Sequence, residues 1–265
     1  GCERLVDENG LTIIANALWK CEDGKENVVI PEGVSLIAPD AFREGWKGRG
    51  RGSQFFKSEG TLKSIVLPTT LKKILNGAFA GCKALKQITI PNGVEVIDEE
   101  CFINCEALAR IELPDSVLRV GKQAFSGCTA LQNVKLSTSM TEINAGLFYG
   151  CKSLKSITIP SAIDSIGIDA FRGCSSLKAV EVDEGNTSYS SVDGILYNKT
   201  RDTLVFIPGG QKHKEYTIPD RVKTIGRHAF IDCLALQKVV IPATVENVGD
   251  EAFPRNEWNS KSKLK

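Results

Sequence analysis

The sequence predicts a repeat solenoid of about eight coils of 23 residues, stacked along one axis with a parallel β-sheet down one side. Three columns of residues predict it. Leu62, Leu85, Leu108, Leu131, Leu154 and Leu177 are each 23 residues apart. The same step carries Phe79 to Phe102, Phe125, Phe148 and Phe171, and Cys82 to Cys105, Cys128, Cys151 and Cys174. A lone coil of this length cannot bury both a strand face and a phenylalanine, whereas stacked coils share one continuous apolar core.

Taken in chain order, residues 1–26 read as an N-terminal cap, in which Ala17, Leu18, Trp19 and Lys20 lead on to Val28, Val29, Ile30 and Pro31. Residues 27–265 read as one continuous solenoid domain whose first coil runs from Pro31 to Phe42. Leu62 follows Phe42 by 20 residues instead of the usual six, so 14 are extra and residues 43–60 form an exposed insertion loop. In residues 154–160 the first, fourth and sixth places are apolar and a proline follows, the mark of a short half-buried strand. Its counterparts predict strands at 63–67, 86–90, 109–113, 132–136 and 155–159. Ile74, Ile97, Val120, Ile143 and Ile166, then the phenylalanine column, anchor each return path inward. The rhythm breaks again at residues 183–212, where Asp193 and Gly194 predict a tight turn between β-prone runs. It resumes from Pro219 to Phe230 and from Pro242 to Phe253.

On these residues the chain resembles the BspA-type bacterial leucine-rich repeat family, whose unit reads L-x-x-I-x-I-P-x-x-V-x-x-I-G-x-x-A-F-x-x-C. Residues 154–174 match it at nearly every place, and the resemblance extends over about residues 27–253. It implies a right-handed leucine-rich repeat coil, a hairpin within 183–212, and a surface-exposed or secreted adhesion protein that binds host matrix proteins or other cells. One departure concerns the asparagine of the better-known leucine-rich pattern, replaced here by Thr70, Gly93, Ser116, Ser139 and Ala162. No asparagine ladder is expected.

Composition narrows the function. Thirty-three basic residues against 32 acidic ones leave a net charge of +1, so no global field draws the chain to nucleic acid. Apolar runs stay short of the ~18 residues that span a bilayer. Met140 is the only methionine, so the N-terminus reads as processed or truncated, and Cys2 is open to lipid acylation or to pairing with Cys21. Cys82, Cys105, Cys128, Cys151, Cys174 and Cys233 read as small buried hydrophobes, because a column spreads thiols along a line where a metal needs convergence. Neither His213 nor His228 has a triad pattern around it, and Gly48 to Gly52 lacks the strand-to-helix context of a phosphate loop. The expectation is a monomer without metal, cofactor or catalysis. Asn186 and Asn198 begin glycosylation sequons, read as chance occurrences.

What remains is surface. The residues flanking each buried isoleucine point outward, and among them Arg110, Glu112 and Lys135 form the charged cluster. The insertion adds Trp46, Phe55 and Phe56 among Arg49, Arg51 and other cations, the residue types that anchor interfaces. These eight residues are the candidate binding site for a protein or anionic glycan, host extracellular matrix included. The alternatives are a structural spacer displaying another domain, or an enzyme whose groups converge only on folding.

Overall fold

The computed structural model describes residues 7–43 and 60–254. Its backbone is a β-solenoid of about nine turns, with no α-helix among the described residues. One turn escapes a count by phenylalanines, since the coil opening at Leu177 returns through the inserted hairpin.

Where one sheet is expected, eight strands form four parallel pairs: Asn27–Val29 with Ser64–Val66, Arg110–Glu112 with Asn133–Lys135, Ser156–Ile159 with Ala179–Val182, and Glu215–Thr217 with Lys238–Val240. They pair in parallel, with Asn133 opposite Arg110 and Ala179 opposite Ser156. Asn27 lies opposite Ser64, an offset of one repeat plus the extra residues of the insertion. Residues 86–90 correct one expectation. Ile88 and Ile90 are buried and Gln87 and Thr89 exposed as predicted, but no paired strand forms there. The link onward is a bond from Ala109 N–H to the Lys86 carbonyl (3.1 Å).

A second parallel sheet lies on the return path, where inward anchoring alone was expected. Leu36–Ile37, Lys73–Ile74, Val96–Ile97 and Arg119–Val120 belong to one six-stranded sheet with an N-terminal hairpin, Leu11–Ile14 and Ala17–Cys21. Two-residue pieces pair here because the 23-residue period brings β-branched anchors such as Ile74 and Ile97 to the same place in successive coils. The N-terminal hairpin turns at Ala15 and Asn16 (φ 47° and 62°), and the inner one at Asp193 and Gly194 (φ 52° and 76°). Both therefore use the doubly left-handed turn that matches strand twist. The inner hairpin, Tyr189–Val192 and Ile195–Asn198, acquires a third strand, Thr203–Phe206, which runs parallel to Thr224–Ile225.

Between the sheets the phenylalanine column is a stack. Neighbouring rings from Phe42 to Phe171 lie 4.9 to 6.2 Å apart and within 12° of parallel, and Phe206 from the hairpin supplies the next ring, tilted by 43°. The cysteine column explains itself chemically. From Cys82 to Cys174 each thiol donates to the carbonyl of the preceding coil's phenylalanine, Cys105 to Phe79, Cys128 to Phe102 and Cys151 to Phe125 all at 3.2 Å, whereas Cys233 donates to Ile207 (3.7 Å). Cysteine thus offers a small apolar body with a weak donor, which alanine lacks. Hydroxyls partly replace the missing asparagine ladder: Thr70 and Ser116 each donate to a carbonyl one coil back, those of Val34 and Val94.

The expectation of one continuous core is corrected. The buried apolar residues form a large cluster from Leu11 to Phe206 and a small one from Ile195 to Ala252. The inner hairpin is the septum, since alternate residues of a strand face opposite ways. Leu196 and Phe206 join the large cluster, whereas Ile195, Tyr197 and Leu204 join the small one.

Candidate functional site

The outward face of the first sheet carries the candidates on described residues. Arg110, Glu112 and Lys135 are exposed, on adjoining strands whose register sets Lys135 opposite Glu112 and Asn133 opposite Arg110. The structure therefore brings these three together. Around them the face is small and flat: Ser64, Gln87, Ser156 and Thr158 are exposed, and Val29 and Val66 form an exposed apolar pair at the N-terminal end (63% and 59%). At the other end the face stops at the inner hairpin. Val180 N–H donates to the Gly194 carbonyl (2.9 Å), and a Cβ on Gly194 would stand 2.8 Å from Ala179. Glycine is required at this turn both by its positive φ and by that contact.

Trp46, Arg49, Arg51, Phe55 and Phe56 lie outside the described residues, as does Cys2. Arg43, where the insertion begins, forms an ion pair with Asp40 at 2.8 Å.

A polar cluster that the sequence does not reveal sits where the hairpin interrupts the stack. The coil opening at Leu177 lacks the usual return turn, so the turn at Asp169 meets the turn at His228, 59 residues on. The buried imidazole of His228 is held by two carboxylates, with Nδ1 2.6 Å from Asp169 Oδ1 and Nε2 3.1 Å from Glu251 Oε2. Both ring nitrogens are thereby occupied, and neither is left to activate a nucleophile. In the interior coils Gly81, Asn104, Gly127 and Gly150 each donate N–H to a carbonyl of the next coil. Gly173 has no such carbonyl and donates instead to Asp232 Oδ2 (2.7 Å). Burial pushes the Asp232 carboxyl above its ordinary range, opposed by that bond and by Arg172. Asp169 also lies 3.5 Å from Arg172. Among the described residues no group of three or more His, Cys, Asp or Glu is placed to hold a metal ion.

The cysteines and sequons take definite places. The six column thiols are buried and free, and desolvation raises Cys105, Cys128, Cys151, Cys174 and Cys233, Cys128 to about 12. Asn186 is fully buried and its side chain makes four hydrogen bonds, donating to the carbonyls of Pro160 and Ile163 and accepting from Ser188 and Tyr189 N–H. Glycosylation of Asn186 is incompatible with the folded chain. His213 lies against Gln211 at 2.5 Å.

One edge of the solenoid is grooved. Two residues before each column phenylalanine the backbone passes through a left-handed residue, among them Glu100, Gln123, Gly146 and Asp169 (φ 54° to 63°). Between their side chains runs a groove of about 340 Å³, lined also by Lys122, Ala145, Tyr149 and Ile168.

The family described as BspA type leucine-rich repeat region matches in six copies, over residues 51–191 and 209–262. No curated protein matches the chain significantly. Solved structures do. The pneumococcal vaccine antigen PcpA is 23% identical with a TM-score of 0.69, the alignment covering 93% of this chain and 78% of that one. A leucine-rich cell surface protein of Faecalibacterium prausnitzii is 27% identical (TM-score 0.68, covering 89% and 69%). A leucine-rich repeat protein of Bacteroides ovatus is 26% identical (TM-score 0.62, covering 87% and 54%).

Proposed function

The chain belongs to the BspA-type leucine-rich repeat family, and on that premise we propose that it is a bacterial surface or secreted interaction module, binding a partner over the outward face of its first sheet. The observation that carries the reading is the exposed, flat strip of small side chains with Arg110, Glu112 and Lys135 in register at its centre. Support for the surface location comes from the Faecalibacterium prausnitzii relative, itself described as a cell surface protein.

Size refines the proposal. Seven coils at ~4.8 Å, each contributing three outward-facing strand residues or fewer, make a strip of roughly 300 Å². A stable partner needs about 800 Å² per side. The remaining contact is assigned to the insertion, residues 43–60, with Trp46, Phe55 and Phe56 as anchors and Arg49 and Arg51 drawing an acidic protein or anionic glycan, host matrix included. The activity is binding and not catalysis.

The test is biolayer interferometry of the chain against purified extracellular-matrix and bacterial-surface proteins. It is repeated with Arg110→Glu/Lys135→Glu and with residues 45–58 replaced by a glycine-serine bridge. Each variant is expected to weaken a discovered ligand about tenfold or more. A ligand bound equally by parent and both variants overturns the assigned surface, and a panel with no ligand favours a spacer.

A further inference from the structure

We propose that a notch on the grooved edge, at Ala145 and Gly146, binds a neutral hexopyranose residue of a glycan. The site lies on a different face from the sheet strip and does not depend on it.

The notch comes from a local lapse in side-chain size. At the third and second places before the column phenylalanine, the neighbouring coils carry Glu99 and Glu100, Lys122 and Gln123, and Ile168 and Asp169. The coil between the last two carries Ala145 and Gly146. The walls on either side therefore stand two strand spacings apart, about 10 Å, over a floor with almost no side chain. A Cβ on Gly146 would lie 3.0 Å from Gln123 Cγ, so glycine makes room for the Gln123 side chain, whose amide borders the floor of the notch. Tyr149 closes one end and is 42% exposed, a large aromatic left open to solvent; Ile168 on the far wall is 44% exposed.

The chemistry of the walls selects the ligand. A cationic side chain would meet Lys122, and an anion would meet Glu99, Glu100 and Asp169. A neutral pyranose uses both signs, since each hydroxyl donates to a carboxylate and accepts from an ammonium or amide. Its C–H face packs on an aromatic ring and an aliphatic side chain, which Tyr149 and Ile168 offer. The walls are also set beforehand. Asp169 is fixed by His228 (2.6 Å) and Arg172 (3.5 Å), and the backbone of Tyr149 is held by Gly146 and Gly127 (3.0 and 2.7 Å). Such preorganisation lowers the ordering cost that weakens sugar binding.

The experiment is saturation-transfer difference NMR on the intact chain. The probes are methyl β-D-glucopyranoside, methyl β-D-galactopyranoside and methyl α-D-mannopyranoside, with N-acetyl-arginine amide as a cation and N-acetylneuraminic acid as an anion. At least one neutral glycoside is expected to receive saturation at its ring C–H protons. Ala145→Lys refills the notch with the side chain that Lys122 already provides one coil earlier, so the fold tolerates it; binding is expected to vanish. Tyr149→Ser is expected to weaken it about tenfold. Circular dichroism and thermal midpoints check that both variants are folded. Failure of all three glycosides, binding indifferent to both substitutions in folded protein, or a response to the cation or anion alone overturns the proposal.

Discussion

Replacing Phe125 by alanine tests the architecture at its centre. Phe125 is fully buried, between Phe102 at 5.4 Å and Phe148 at 5.8 Å, both within 7° of parallel. Phenylalanine-to-alanine truncations in cores cost about 3–5 kcal/mol, and the upper end applies where neighbours cannot collapse into the gap. Here ladders of backbone bonds hold the adjoining coils at fixed spacing, so about 5 kcal/mol is expected, part of it the two lost ring contacts. Phe253, at the C-terminal end, is half-buried and stacks on Phe230 at 4.8 Å, with no further ring of the column described beyond it. Truncating it should cost about 2 kcal/mol, scaled down from the core value by its exposure and single neighbour. The assay is guanidinium unfolding followed by circular dichroism, comparing midpoints and slopes. Since about 5 kcal/mol rivals the whole stability of many domains, Phe125→Leu is measured alongside and should cost about 1–2 kcal/mol. A Phe125→Ala protein no less stable than Phe253→Ala would refute the shared stacked core.

The column cysteines predict alkaline destabilisation. A thiol raised in the folded state, as Cys128 is from 9.0 to about 12, favours folding fully below pH 9 and loses that contribution as pH rises toward 12. Guanidinium midpoints should hold from pH 7 to 8 and fall above 9, with Cys128→Ala reducing the slope by about 1.4 kcal/mol per pH unit; equal slopes would contradict this. Thiol titration should find the six column cysteines unreactive until the chain unfolds, and rapid native labelling of Cys128 or Cys151 would speak against their burial. Asn186→Ala strands two carbonyls and two N–H groups and should cost about 3 kcal/mol in the same unfolding assay, a cost under about 1 kcal/mol being the contrary result. Asp232 separates charge from hydrogen bond. Asp232→Asn keeps an acceptor for Gly173 while removing a carboxylate that resists ionisation, so stability at pH 7 should hold or rise; Asp232→Ala should cost about 1–3 kcal/mol and speed amide exchange at Gly173. Equal losses in both variants would show that the charge, not the acceptor, matters there.

Much of this molecule is legible in one dimension because a solenoid is close to one-dimensional. Each coil touches its neighbours, so Leu62 to Leu177, the phenylalanines and the cysteines announce by spacing alone that they stack. The outward places of Arg110, Glu112 and Lys135 follow from strand alternation, and the inner hairpin from its Asp193–Gly194 turn, whereas the N-terminal hairpin, turning at Ala15 and Asn16, was read only as a cap. Legibility fails where the period does. The second sheet went unseen because two-residue strands carry too little alternation to register. The septum dividing the core went unseen because either face of an apolar strand such as Ile195–Asn198 can be the inner one. The notch needs the coils on both sides to define it, although Ala145 and Gly146 stand in plain view among larger residues at the same register.

Sequence by itself determined the repeat, the family, the inward and outward faces of the first sheet and the burial of the thiol column. All of these depend on contacts between residues one period apart, and a period can be read without coordinates. Tertiary structure alone decided what happens where a coil is skipped: that Asp169 meets His228, that Asp232 completes the bond Gly173 would otherwise lose, and that Phe206 enters a stack whose other rings come from return turns. Those contacts join residues whose separation follows no period, fixed by the path the inserted hairpin takes across the core.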